Sequence, residues 1–199
     1  MDTAACELAR ISGTGASARQ KLDKTLLEQI AAGDRLAMQV LFQRHNVRVY
    51  RFVLRLVGNP AIAEEIVGDV FLNVWQHAAS FQSRCEVTTW LLTIARHKAI
   101  SLLRRHSEAQ LTDAIADIAH DPGPNPETIM EQEDRRKLMR GFLAQLSPLH
   151  REVLDLVYYH EKSIEEVAQI VEAPVGTVKT RMFYARNHLA KLIRAAGGI

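Results

Sequence analysis

Apolar residues recur at helical spacing in both halves of this 199-residue chain, and between the halves stands Asp121-Pro-Gly-Pro-Asn-Pro126. A proline ring removes a backbone donor and clashes with the preceding turn, so three prolines in six residues end any helix that reaches them. A break of that kind marks a linker or a functional loop. The length suits two small domains better than one large one. No strand alternation or hairpin signal interrupts the first half, so the expected fold class is all-α, two small helical bundles joined by a flexible linker.

The boundaries follow from local chemistry. Residues 1–21, rich in Ala, Ser, Gly and Thr without periodicity, are expected to be a disordered tail. Leu22, Leu26, Leu27 and Ile30 share a helical face, Gly33 suits a helix end, and Asp34 can cap a second helix carrying Val40, Leu41, Val49, Phe52, Val53 and Leu56. Gly58 and Asn59 stop that helix. Asn59 as cap and Pro60 at the first helical position open a third, whose stripe is Ile62, Ile66, Val67, Val70, Phe71, Val74 and Trp75. A fourth is expected from about Val87 to Arg105. After the break, Leu138, Phe142, Leu143 and Leu146 restore the period, and Ser147-Pro148 opens a helix through Val153, Leu154, Leu156 and Val157.

The net charge of +2 conceals an uneven distribution. From His106 to Asp134 there are eight acids and no Lys or Arg, whereas the last 23 residues hold five bases and no acid, and Arg84 to Arg105 holds five bases against Glu86. Two basic patches separated by an acidic segment suit two surfaces that face a polyanion and a middle repelled by it, although solvated helix faces give the same count. Residues 106–130 are therefore expected to be an acidic flexible linker, a tether that stays off the polyanion.

The most specific local signal is Ser163-Ile-Glu-Glu166, a capping box in which the hydroxyl accepts from the third helical N–H and the carboxylate reaches back to the cap. Ile164, Val167, Ala168 and Val171 then follow helical spacing. Glu172-Ala-Pro-Val-Gly176 forms a turn, with Thr177 as the expected cap of the last helix. Val178, Met182, Ala185, Leu189 and Leu192 can face a core, leaving Lys179, Thr180, Arg181, Phe183, Tyr184 and Arg186 outward. A short helix, a tight turn and a basic helix make a helix-turn-helix whose second helix fits the major groove and reads base edges and phosphates. Periodicity alone leaves an ordinary helical hairpin open.

Taken together, "AEEIVGDVFLNVW", "TTWLLTIARHKAISLLRR" and "APVGTVKTRMFYARNHL" resemble, in order, regions 2.2 to 2.4 and region 4.2 of the extracytoplasmic-function sigma factors of bacterial RNA polymerase. The resemblance spans about Leu22 to Arg194. It implies a region 2 at 22–105 that binds core polymerase and reads the minus-ten element, and a region 4 at 131–195 that reads the minus-thirty-five element. On matching positions it implies that Glu64, Glu65, Asp69 and Asn73 dock on the β′ clamp helices, with the β flap as a further polymerase contact. It places Phe81, Arg84 and Trp90 where unpaired promoter bases are captured, with Arg96, His97, Arg104 and Arg105 on the same basic helix. Rings and guanidinium planes stack on bases for about 1 to 3 kcal/mol each. Helical spacing equally allows Trp90 into the core, and the acids on the third helix also fit a solvated face.

Three positions depart from the family pattern. His97 replaces a common Asn and Ser101 a frequent Asp, which bears on minus-ten base preference. Gly68 stands inside the docking helix where Gln is usual, at a cost of about 0.8 to 1.0 kcal/mol relative to Ala. The resemblance also implies an anti-sigma partner.

Other classes fit poorly. No apolar run approaches the roughly 20 residues a bilayer span needs, and the first ten residues have no apolar signal region, so membrane insertion is not expected and the location is expected to be cytoplasmic. Cys6 and Cys85 are expected to be reduced thiols. The eight His, at 45, 77, 97, 106, 120, 150, 160 and 188, fall on separate elements without metal-ligand spacing, so no metal or cofactor is expected. No phosphate loop, G-x-S-x-G or H-E-x-x-H motif suggests an enzyme. The alternatives are a free-standing helix-turn-helix regulator, which leaves the acidic third helix and "TWLLTIARH" unexplained, and a helical module that sequesters a regulator, which the basic C-terminus opposes.

Overall fold

A computed structural model describes residues 20–109, 139 and 141–196. The tail to residue 19, Cys6 within it, and the tether expected at 106–130 beyond residue 109 lie outside the described residues. Helix α1 covers 20–31, α2 Arg35–Val57, α3 Pro60–His77 and α4 Val87–Ala109, with a 3-10 turn at Ala78–Ser80. A short helical stretch at 139 and 141–144, here α5, precedes α6 (Pro148–Tyr158), α7 (Ile164–Ile170) and α8 (Val175–Ala195). Among the described residues there is no strand.

The capping signals act where the sequence places them. Asp34 accepts from the N–H groups of Leu36 and Ala37, and Asn59 from those of Ala61 and Ile62. Each satisfies donors that a helix start leaves unpaired, worth about 1 kcal/mol against Ala. Gly58 ends α2 in the left-handed region at φ 70°, and its N–H bonds the carbonyl of Leu54. A β-carbon would be strained at that angle. Arg151 closes α5 from outside, donating to the carbonyls of Leu143, Ala144 and Leu146 at 3.0, 2.8 and 3.2 Å.

Three boundaries differ from expectation, the first being that residues 20 and 21, expected in the tail, already belong to α1. Helix α4 continues to Ala109, four residues past Arg105, since the first helix breaker lies well downstream at Pro122. Helix α8 begins at Val175 rather than being capped by Thr177. Glu172 takes φ 52° and turns the chain, after which the carbonyl of Pro174 already accepts from Thr177 and Val178 at 2.8 and 3.1 Å. Thr177 is therefore inside the helix.

The first bundle packs α2 against α3 and α4 around Leu41, Phe52, Val53, Val70, Val74, Leu91 and Leu92. Each such side chain contributes about 1.5 to 3 kcal/mol by leaving water. Helix α1 is fastened to α2 by Asp23, which is buried between Arg44 at 3.3 Å and His45 at 3.0 Å. The second bundle closes α6, α7 and α8 around Val153, Leu156, Val167, Ile170, Val178, Met182 and Ala185. Trp75, expected in the stripe of α3, sits at its edge and is 36% exposed. The two bundles share one apolar cluster, with α7 lying against α4 and α6 against α2.

Candidate promoter and polymerase interfaces

On α8 the inward side chains Val178, Met182 and Ala185 leave the opposite face to solvent, as the spacing predicts. Lys179, Thr180, Phe183, Tyr184 and Arg186 are exposed and Arg181 is half-buried. The rings of Phe183 and Tyr184 meet edge to face at 5.6 Å, and the Arg186 guanidinium lies 5.7 Å from the Tyr158 ring of α6. The Thr180 hydroxyl donates to its own helix at the carbonyl of Gly176, 2.9 Å away, leaving its lone pairs for a ligand. The helix before the turn starts at the capping box: Ser163 Oγ accepts from the N–H of Glu166 at 3.1 Å, and Glu166 Oε2 accepts from that of Ser163 at 3.0 Å. The result is an exposed basic helix on a rigid hairpin, the shape that enters a major groove.

The second basic surface belongs to α4 and the loop before it. Phe81 and Trp90 are half-buried with rings 5.1 Å apart, so each packs against the core while keeping part of its face in water. Trp90 thus lies partly in the core, as its helical spacing allows. Arg84, Arg104 and Arg105 are exposed. Arg96 and His97, by contrast, are engaged across the bundle interface. Arg96 Nε donates to Glu152 Oε1 at 2.6 Å with only 12% of the side chain exposed, and His97 Nε2 lies 3.0 Å from Glu172 Oε1.

The third surface is the outer face of α3. Glu64, Glu65 and Asp69 are exposed and Asn73 is half-buried. Asp69 is bonded at 3.1 Å by Lys98 of α4, so one of these acids also braces the bundle. Gly68 sits among them, and a β-carbon built there meets nothing within 4 Å. Among the described residues no contact calls for a glycine there.

Sequence reasoning missed the residues that hold the two bundles together. Arg55 at the end of α2 bonds Asp155 of α6 and stacks its guanidinium 4.2 Å from the Tyr159 ring. The ammonium of Lys162, 3% exposed, donates to Glu86 and Thr88 of the first bundle and to Glu166 of its own, all at 2.7 Å. Glu166 Oε1 also accepts from the Thr89 hydroxyl. Burial disfavours the ionised Glu166, yet the hydrogen bonds from Lys162, Thr89 and the Ser163 N–H outweigh it and hold the carboxyl below its ordinary value. Beside this cluster, burial pushes the Cys85 thiol up, against the pull of Lys162. The available signal was Glu152 and Asp155, charges flanking the apolar Val153 and Leu156 on α6, but their partners lie far away in sequence.

Comparisons with known proteins agree with this architecture. The Sigma-70 region 2 family matches residues 41–109 and the Sigma-70, region 4 family residues 142–191. The ECF RNA polymerase sigma factor SigK of Mycolicibacterium vanbaalenii is 31% identical over 86% of this chain and 89% of its own. SigL of Mycobacterium tuberculosis is 30% identical over 84% of this chain and 94% of its own. Among solved structures, the sigma factor RpoE of Bartonella quintana, crystallised with the anti-sigma factor NepR, aligns with a TM-score of 0.65 at 25% identity, covering 78% of this chain and 96% of that one. Among the described residues no helix is long and apolar enough to cross a membrane and no cluster of His, Cys, Asp or Glu could hold a metal. The chain belongs to the extracytoplasmic-function RNA polymerase sigma factors and acts as an alternative sigma factor in transcription initiation.

Proposed function

We propose that this sigma factor divides its work among the three surfaces. The exposed acids of α3, Glu64, Glu65 and Asp69 with Asn73, dock on basic β′ clamp helices of core polymerase, where opposite charge speeds encounter and fixes register. Once the strands part, Phe81, Trp90 and Arg84 receive unpaired bases by stacking, while Arg96, His97, Arg104 and Arg105 hold the backbone. Helix α8 enters the major groove at the minus-thirty-five element through Lys179, Thr180, Arg181, Phe183, Tyr184 and Arg186. The chain supplies no catalytic group, acts in the cytoplasm, and has a partner of the anti-sigma class.

The observation that carries this reading is the pairing, in one chain and in order, of the two sigma-70 regions with a basic recognition helix left open to solvent. A free-standing regulator would bind duplex DNA unaided. The test is transcription from genomic promoter fragments with purified core polymerase, alongside fluorescence anisotropy on the same fragments with and without core. Tight specific binding is expected only with core, and Glu64→Lys/Glu65→Lys/Asp69→Lys should lose co-purification with core while keeping its helix content. Equal specific binding without core would support the free-standing regulator instead.

A further inference from the structure

Helix α8 presents two rows of side chains to the outside. Lys179, Phe183 and Arg186 stand at i, i+4 and i+7 and so share one edge of the helix, while Thr180 and Tyr184 share the next. Beside the first row stands a side chain from another element. The ring of Tyr158 on α6 is 57% exposed, and the Arg186 guanidinium lies 5.7 Å from its centroid. Among the described residues Arg186 makes no ion pair. The neighbouring ring, Tyr159, is already taken by Arg55.

We propose that Tyr158 is a positioning residue for minus-thirty-five recognition, its ring holding the Arg186 guanidinium at the edge of α8 where it meets a backbone phosphate. This rests on the promoter reading of α8 given above and adds to that site a residue outside the recognition helix. A cation within about 6 Å of a ring face is attracted by the ring's quadrupole. A carboxylate would also hold the guanidinium, but it would cancel the charge and occupy the donors that a phosphate needs. A ring does neither, because it engages the flat face and leaves the N–H groups at the rim. The position along α8 suits a phosphate. Arg186 lies seven residues beyond Lys179, about 10 Å farther along the axis at roughly 1.5 Å per residue. Base edges are met by the N-terminal residues of a recognition helix. A long side chain on the edge two turns farther on meets the strand backbone, a contact that sets register without reading sequence. Restricting its rotamers before binding lowers the entropy lost on the DNA.

The test uses holoenzyme assembled from core polymerase and the full chain, titrated against a fluorescein-labelled promoter fragment and its minus-thirty-five variants. Tyr158→Leu should weaken binding about two- to fivefold, by a similar factor on every variant. Tyr158→Phe, which keeps the ring, should bind as the wild type does. Arg186→Ala should remove the effect of Tyr158→Leu, so that the double variant binds no worse than Arg186→Ala alone. In the NMR spectrum of the free chain, the Arg186 side-chain protons should be shifted upfield by the ring in the wild type and in Tyr158→Phe, and lose that shift in Tyr158→Leu. Tyr158 is exposed, so helix content should survive the change; Tyr158→Gln should give the same readings if the leucine variant loses it. Additive losses in the double variant would overturn the proposal, as would Tyr158→Phe binding as weakly as Tyr158→Leu, which would assign the contact to the hydroxyl. Absence of core-dependent promoter binding by the wild type would overturn the functional reading and this proposal with it, whereas promoter binding without the coupling overturns this proposal alone.

Discussion

Replacing Gly68 by alanine separates stability from docking, because the structure predicts opposite effects on the two. Gly68 is the ninth of eighteen residues in α3, a full helical interior, and the added methyl would meet nothing within 4 Å. The gain is then the difference in helix propensity, about 0.8 to 1.0 kcal/mol, from lower backbone entropy in the unfolded chain. If both bundles melt as one cooperative unit, Tm should rise by about 2 to 4 °C, and if the first bundle melts alone by about 4 to 8 °C. Circular dichroism melts measure this. Core affinity, measured by anisotropy of labelled sigma factor, should fall, because Glu64, Glu65 and Asp69 surround the glycine on the face proposed to dock and the methyl would hold a partner away. A lower Tm would refute the reasoning that the site is open, and a higher Tm with unchanged core affinity would refute the close approach at Gly68.

Two other outcomes can be checked on the same protein. Lys179→Ala and Arg181→Ala should weaken minus-thirty-five recognition, by about 1 to 3 kcal/mol at one base pair for a base-edge contact or uniformly across sequences for a phosphate contact, as read from promoter-variant titrations; unchanged output from both would remove α8 from recognition. Glu166, held below its ordinary 4.5, contributes stability that is present above that pH and lost as pH falls through the folded value, so the urea midpoint should drop on acidification. Glu166→Gln, which keeps a capping oxygen, should flatten that drop, and an identical pH profile in the variant would contradict the ion pair with Lys162.

Elements that announce themselves locally were legible in the sequence. Asp34, Asn59-Pro60, Ser147-Pro148 and the Ser163–Glu166 box each start a helix where their hydrogen-bonding chemistry requires, and the face of α8 follows from spacing alone. The start of α8 was not, because Glu172 in a left-handed conformation carries no sequence signature and Thr177 is a plausible cap. The docking of the bundles was equally hidden. Arg96 has the same composition-level appearance whether it faces a phosphate or Glu152, and their separation of 56 residues leaves no periodic trace. Sequence spacing therefore placed Arg96 and His97 on α4 while remaining silent about what each touches in the free protein.

Glu166 spends its two carboxylate oxygens on different tasks: Oε2 begins the helix-turn-helix, and Oε1 meets Lys162 and the Thr89 hydroxyl of the other bundle. Recombination between relatives therefore has a hidden constraint. A C-terminal bundle grafted onto a foreign first bundle would keep its capping box and fold its hairpin, since those atoms travel together. It would arrive without Thr89 and Glu86 opposite, leaving the ammonium of Lys162 with one acid in place of two. Such a chimera would carry an intact helix-turn-helix on an altered seam, so the correct folding of each bundle would say nothing about how firmly the two hold together.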